Sequence, residues 1–167
     1  MRLSNRHAST LAILATVLVA ALLRAWLIAG ERVSFDSDEA VVGLMARHIA
    51  QGQPIPTFYY GQAYMGSLDA FLVAIGFFLL SPQVWVIRVV QSLLYILTII
   101  ATVLTGRVAF RSWVVGIVAG LLLAIPTVNV TLYTTVSLGG YGEALLIGAL
   151  LLLVSFQSIH PLSGMPL

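Results

Sequence analysis

Asp36, Asp38 and Glu39 put three carboxylates within four residues, shortly after an apolar run, in a chain otherwise poor in charge. At the mouth of a membrane cavity, partial desolvation raises a carboxylate's proton affinity, and it can act as general base toward an incoming nucleophile. The same residues suit a helix start: Asp36 as N-cap with Glu39 as capping-box partner, or Ser37 as cap with Asp38 and Glu39 in the first turn. These readings are compatible, because a helix N-terminus can hold a reacting carboxylate in place. Glu143 is a second candidate. It sits after the glycine-rich turn Leu138-Gly-Gly-Tyr-Gly, between two apolar segments, where an ionisable group is costly and usually serves a site.

Arg88 can neutralise a phosphate, pair with an acid, or snorkel from an outer boundary. Asp69 can pair with it or cap a helix. Tyr59, Tyr60 and Tyr64 can stack on a sugar ring or form an interfacial aromatic belt. His48 has no partner at metal-ligand spacing and reads as structural. A divalent metal is compatible with Asp38, Glu39 and Glu143 together, since hard cations take carboxylate oxygens, but no spacing fixes that geometry. No Walker motif, nucleophile elbow, HExxH or dinucleotide fingerprint is present.

These residues stand in a greasy chain. Of 167 residues, 60% are hydrophobic and 8% charged, with a mean hydropathy of +1.04. A soluble domain carries about 25% charge, so the class is a polytopic helical membrane protein embedded in a lipid bilayer. A net charge of +2 is too small to argue for nucleic acid. The absence of cysteine removes disulfides, thiolate nucleophiles and Cys-ligated metals.

The polar stretch Glu31 to Ser67 holds four of the six acids, and the apolar runs around it must position them. Four spans are predicted, at about 9–29, 84–105, 113–132 and 144–160, with an external loop over 31–83. The first reads as an uncleaved signal anchor behind Arg2 and Arg6, with Arg24 snorkelling near its exit and Trp26 at the interface. Within the loop, Asp38 to Gln51 reads as a surface helix. Val41, Val42, Met45 and Ile49 form its apolar stripe, Arg47 lies opposite, and Gly52, Pro54 and Pro56 stop it. Gly66 to Leu80 is too short to cross and reads as interfacial or re-entrant. Gly106 to Arg111 is expected to be a short basic turn. Gly116 and Gly120, extended by Ala124, allow close helix packing, and Pro126 is placed to kink that helix near its exit.

Keeping 66–80 on the outer face resolves two problems together. Arg107 and Arg111 become cytoplasmic, as the positive-inside rule prefers, and Glu143 returns to the side of Asp38 and Glu39. The N-terminus is then cytoplasmic and both acidic loops face outward. The chain stops directly after its last apolar run, which is the pattern of an N-terminal piece of a longer protein.

Ser37-Asp-Glu-Ala40, continuing into Ala46-Arg-His-Ile-Ala-Gln-Gly52, resembles the DE-containing first external loop of protein O-mannosyltransferases and aminoarabinose transferases. Tyr64-Met-Gly-Ser-Leu68 and its apolar helix resemble the re-entrant segment of oligosaccharyltransferase catalytic subunits, and Pro126 to Glu143 is similar to their second acidic loop. The chain thus resembles, over most of its length, the N-terminal module of the GT-C superfamily of polyprenyl-phosphate-dependent membrane glycosyltransferases. It departs from them at Met65-Gly-Ser67, where the transferases carry a Pro-Pro pair, and in having Glu143 alone where the oligosaccharyltransferase motif has two acids.

The resemblance implies inverting transfer of a sugar from a polyprenyl-phosphate donor to a lipid, glycan or protein acceptor, at the outer face of a bacterial plasma membrane. Asp38 would be the base, Glu39 its motif partner, Glu143 the second acidic site residue and Arg88 a contact to the donor phosphate. The alternative is a non-catalytic polytopic protein, a transporter or lipid-carrier half, whose polar path uses the same residues.

Overall fold

The computed structural model describes residues 2–159. The end of the fourth predicted span at 160, the terminal segment 160–167, and the side chains of Arg2 and Arg6 lie outside the described residues. The elements are α1 (Arg2–Ala29), α2 (Ser37–Ala50), α3 (Leu68–Leu79), α4 (Val84–Phe110), α5 (Trp113–Ala124), α6 (Val128–Tyr133) and α7 (Tyr141–Ile159). The protein is all-helical, as predicted. Among the described residues the one β pairing is an isolated bridge between Phe58 and Gly66.

Three stretches are long and apolar enough to cross a membrane: His7–Ala29 of α1, all of α4 and all of α7. The predicted span at 113–132 does not form one helix. Pro126 has no N–H for the helical ladder and its ring opposes the carbonyl one turn back, so α5 ends at Ala124 and Ile125 leaves helical geometry (φ −117°, ψ 74°). The chain restarts as the six-residue α6. Twelve residues of α5 rise only ~18 Å, short of the ~30 Å hydrocarbon core.

The expected basic turn at 106–111 is also mostly helix. Nothing in Gly106 to Phe110 breaks the ladder, and α4 runs to Phe110. The reversal is confined to Arg111, in the left-handed region at φ 52°, and to Ser112, whose hydroxyl caps α5 by accepting from Val115 N.

Two compact units divide the chain. One takes α1 up to Leu23, Ile96–Pro126 and the stretch from Leu145 onward; the other takes Arg24–Tyr95 and Thr127–Ala144. In the first unit, α4 and α5 meet through glycines, as the GxxxG spacing predicts. A Cβ at Gly106 would come within 2.6 Å of the Gly116 Cα, one at Gly116 would strike the Val103 carbonyl oxygen, and one at Gly120 would strike the Val103 side chain. Backbone cannot yield as a flexible side chain can. Gly116→Ala is therefore expected to destabilise the protein by about 1–3 kcal/mol. Gly148→Ala, with nothing within 4 Å of its added methyl, is the matched control. Equal thermal midpoints for the two variants in detergent would contradict close α4–α5 packing.

In the second unit α2 packs on α3. Val42, Met45 and Ala46 of α2 meet Ala70, Val73, Ala74 and Phe77 of α3, with Val86 and Ile87 of α4 and Tyr59 completing the core. The predicted stripe of α2 is thus covered by protein instead of lying on lipid, while Arg47 is exposed as expected. The helix stops as the sequence indicates. Gly52 adopts φ +82°, and its N–H and that of Gln53 close back on the carbonyls of Ile49 and His48 at 3.0 Å each, a Schellman ending.

Candidate functional site

The second unit is organised by one face of α4. Arg88, Gln91 and Tyr95 stand at i, i+3 and i+7, a shared helical stripe, and each receives a different element. Arg88 is 5% exposed and Glu39 0%. Arg88 Nε donates to Glu39 Oε1 and Nη2 to Oε2, both at 3.0 Å. Its remaining contacts go to the Val33 carbonyl at 3.0 Å and the Ser34 carbonyl at 3.4 Å. This two-pronged pair ties the start of α2 and the preceding loop to α4. It leaves Arg88 one N–H beyond those bonds.

The choice of cap at the start of α2 is settled in favour of Asp36, which accepts from Asp38 N at 2.8 Å. Glu39 does not reach back as a capping-box partner, because Arg88 holds both of its oxygens. Asp38, one residue away, takes a different role. It is half-buried, and Tyr59 donates its hydroxyl toward the Asp38 carbonyl (3.2 Å) and Oδ1 (3.3 Å). Among the described residues Oδ2 accepts no hydrogen bond, so one carboxylate oxygen remains for a ligand.

Tyr59 is the centre of the acidic cluster. Its ring is buried, and a side chain at Gly139, which adopts φ +77°, would meet that ring at 3.5 Å. Burial, then the adjacent Asp38 charge and hydrogen bond, and then the charges of Asp36 and Asp69, push the phenol up to about 12. Because its neutral form is the one favoured by folding, the stability it contributes is present below the ordinary value of 10.0 and is lost as pH rises through about 12. Tyr59→Phe is expected to remove one late step from the phenolate absorbance titration and part of the alkaline loss of stability. Retention of that late step in Tyr59→Phe would assign it to another tyrosine.

Asp69 completes the central cluster. It is 2% exposed and accepts from Gln91 Nε2 at 2.6 Å and from the Ser137 hydroxyl. Burial raises its proton affinity, and the Ser137 and Gln91 hydrogen bonds, with the Gly140 backbone, oppose the rise. Glu143, in the first turn of α7, is 8% exposed and close enough to Asp69 for their charges to interact. Among the described residues its Oε2 is buried with no hydrogen-bond partner. Asp38, Asp69 and Glu143 therefore lie in the first turns of three helices, α2, α3 and α7, where the helix dipole favours negative charge.

Arg24 departs from the sequence expectation. It is 2% exposed and does not snorkel. It donates to the hydroxyls of Thr134, at 2.6 Å, and Thr135, and its guanidinium lies 4.3 Å from the centre of the Tyr95 ring. A buried guanidinium needs partners along its whole edge, and α6 with its exit turn supplies them.

The remaining predicted site residues separate. Tyr60 is half-buried and within 3.0 Å of His48 Nδ1, a contact internal to the loop. Tyr64 is 78% exposed. Among the described residues no three His, Asp or Glu side chains come together to hold a metal, so Asp38, Glu39 and Glu143 do not form one metal centre. The reason is local: Glu39 is turned to Arg88. Gln91, Tyr95 and Ser137 were not singled out from sequence. Polar residues recurring at helical spacing through the apolar run 84–110 were the available signal for the first two. Comparison with protein-family models, curated proteins and solved structures returned no match.

Proposed function

We propose that this chain is a membrane module of a glycosyltransferase that takes sugar from a polyprenyl-phosphate donor, with Asp38 as general base. The observation that carries the reading is the division of labour in Asp38-Glu39. Glu39 is locked into an ion pair with Arg88, whereas Asp38 keeps an unpartnered oxygen at a half-exposed position, steadied by Tyr59.

In this reading the acceptor oxygen or nitrogen attacks the anomeric carbon while the bond from that carbon to the phosphate oxygen breaks. The acceptor's proton passes to Asp38, and the electron pair leaves with the lipid phosphate, which needs no general acid. Asp69 and Glu143 shape the acidic wall behind Tyr59. Arg88 keeps a single N–H beyond its bonds and its charge is met by Glu39, so its role in this reading is to position the loop.

The proposed topology places the N-terminus in the cytoplasm, the loop over 31–83 at the outer face, and a fourth crossing of a bacterial plasma membrane over 113–132. Membranes carrying the full-length protein, given a donor labelled in its sugar together with envelope lipid, glycan and protein acceptors, are expected to move the label off the lipid phosphate. Label that stays on the donor with every acceptor overturns the proposal.

A further inference from the structure

The end of α1, the loop after it and the start of α4 enclose a cavity of about 470 Å³, within the roughly 300–1,000 Å³ range of small-molecule sites. Two aromatic side chains line it, Phe35 and Trp85, and both are exposed, at 56% and 41%. The indole N–H of Trp85 donates to Gln83 Oε1 at 2.7 Å. That bond uses the ring's one polar edge and fixes the indole as a platform. The polar lining consists of Glu31, Ser34, Gln83 and Arg88. Glu31 adopts φ 47° as the left-handed residue that ends α1, its N–H and that of Arg32 closing back on the carbonyls of Ile28 and Leu27.

The charge balance selects the ligand. Arg88 brings little net positive charge, because Glu39 neutralises it through two 3.0 Å bonds. Glu31 on the same cavity repels anions. What remains is a mixed set: Glu31 accepts, Gln83 Nε2 and the last Arg88 N–H donate, and the Ser34 hydroxyl does both. A phosphate asks for uncompensated donors, and a purely apolar ligand would leave these groups unpaired. A neutral, hydroxyl-bearing ring with one apolar face meets both walls.

We propose that this cavity binds a neutral saccharide ring, stacked on Trp85 with its hydroxyls read by Glu31, Gln83 and Ser34. The inference rests on the glycosyl-transfer reading only for the sugar's role as donor or acceptor.

Trp26, Trp85 and Trp113 are the three tryptophans, so the Trp26→Phe, Trp113→Phe protein reports from Trp85 alone. Purified in a detergent without a sugar headgroup, it is titrated with free glucose, mannose, galactose and arabinose, and separately with inorganic phosphate. A saturable change in Trp85 emission with at least one sugar, and none with phosphate, is expected. In the otherwise unaltered protein, followed by ligand-detected magnetisation transfer, Trp85→Ala is expected to weaken that sugar about tenfold or more, and Trp85→Phe far less.

A response to phosphate alone, no response to any of the sugars, or sugar binding unchanged in Trp85→Ala overturns the inference. Sugar binding that persists in Asp38→Asn while no transfer is found in any form separates the two proposals: the cavity stands and the transferase reading falls. Asp38-dependent transfer without sugar binding here removes only the cavity.

Discussion

Asp38→Asn is expected to lower sugar transfer by about 10²–10⁴-fold, the usual contribution of a positioned general base. The amide keeps the shape and can still accept from Tyr59, but it cannot take the acceptor's proton. The loss should appear in kcat with KM little changed, since the proton moves only in the transition state. Folding should be spared, because Asp38 is half-buried and the helix cap belongs to Asp36. The Tyr59 phenol provides an internal control. With the Asp38 charge removed it should titrate below about 12, since that charge is one cause of its upward shift. A variant with lowered transfer and an unmoved phenol would mean that the substitution acted elsewhere.

Arg88→Leu is expected to destabilise the protein by about 3–5 kcal/mol, the range for a buried pair broken from one side. Glu39 is 0% exposed and would keep its desolvated charge with no partner. The carbonyls of Val33 and Ser34 would also lose a donor. Arg88→Leu combined with Glu39→Leu should recover much of the loss, because it removes the stranded charge as well as the pair. Thermal unfolding in detergent reads both effects. A shift below about 1 kcal/mol for Arg88→Leu is what a solvent-screened pair would give, and it would contradict the role of Arg88 in holding α2 to α4. Activity should fall with the folded fraction, in contrast to Asp38→Asn.

The fold's long helices were legible because an apolar run of about 20 residues has few other uses. The start and stop of α2 were legible from Asp36, Gly52 and the two prolines that follow, all acting within a turn or two. Pro126 was legible as a kink, but the structure goes further and breaks the helix there. Hydropathy runs across it unbroken, whereas backbone geometry does not, and a predicted span became α5 and α6. The site was legible in its parts more than in its partnerships. Asp38, Glu39, Glu143 and Arg88 stood out by charge against an apolar background. Which acid Arg88 would take was open, since Glu39 is 49 positions away and Asp69 is closer in sequence. The partners of Asp69 lie 22 and 68 positions away, so only the tertiary fold brings them together. Arg24 looked like an exit residue because its sequence neighbours are interfacial, yet its partners come from residues 134 and 135. Helical spacing alone could have pointed to Arg88, Gln91 and Tyr95 as a single polar stripe on α4.

The division between Asp38 and Glu39 is tested most directly by transfer rates in membranes holding equal amounts of folded protein, with a polyprenyl-phosphate donor labelled in its sugar. The unaltered protein should move the label to acceptor. Asp38→Asn should leave it on the lipid phosphate, and Glu39→Gln should retain transfer in proportion to its folded fraction. Full transfer by Asp38→Asn, or its loss in folded Glu39→Gln, would contradict the assignment of Asp38 as base and Glu39 as structural partner.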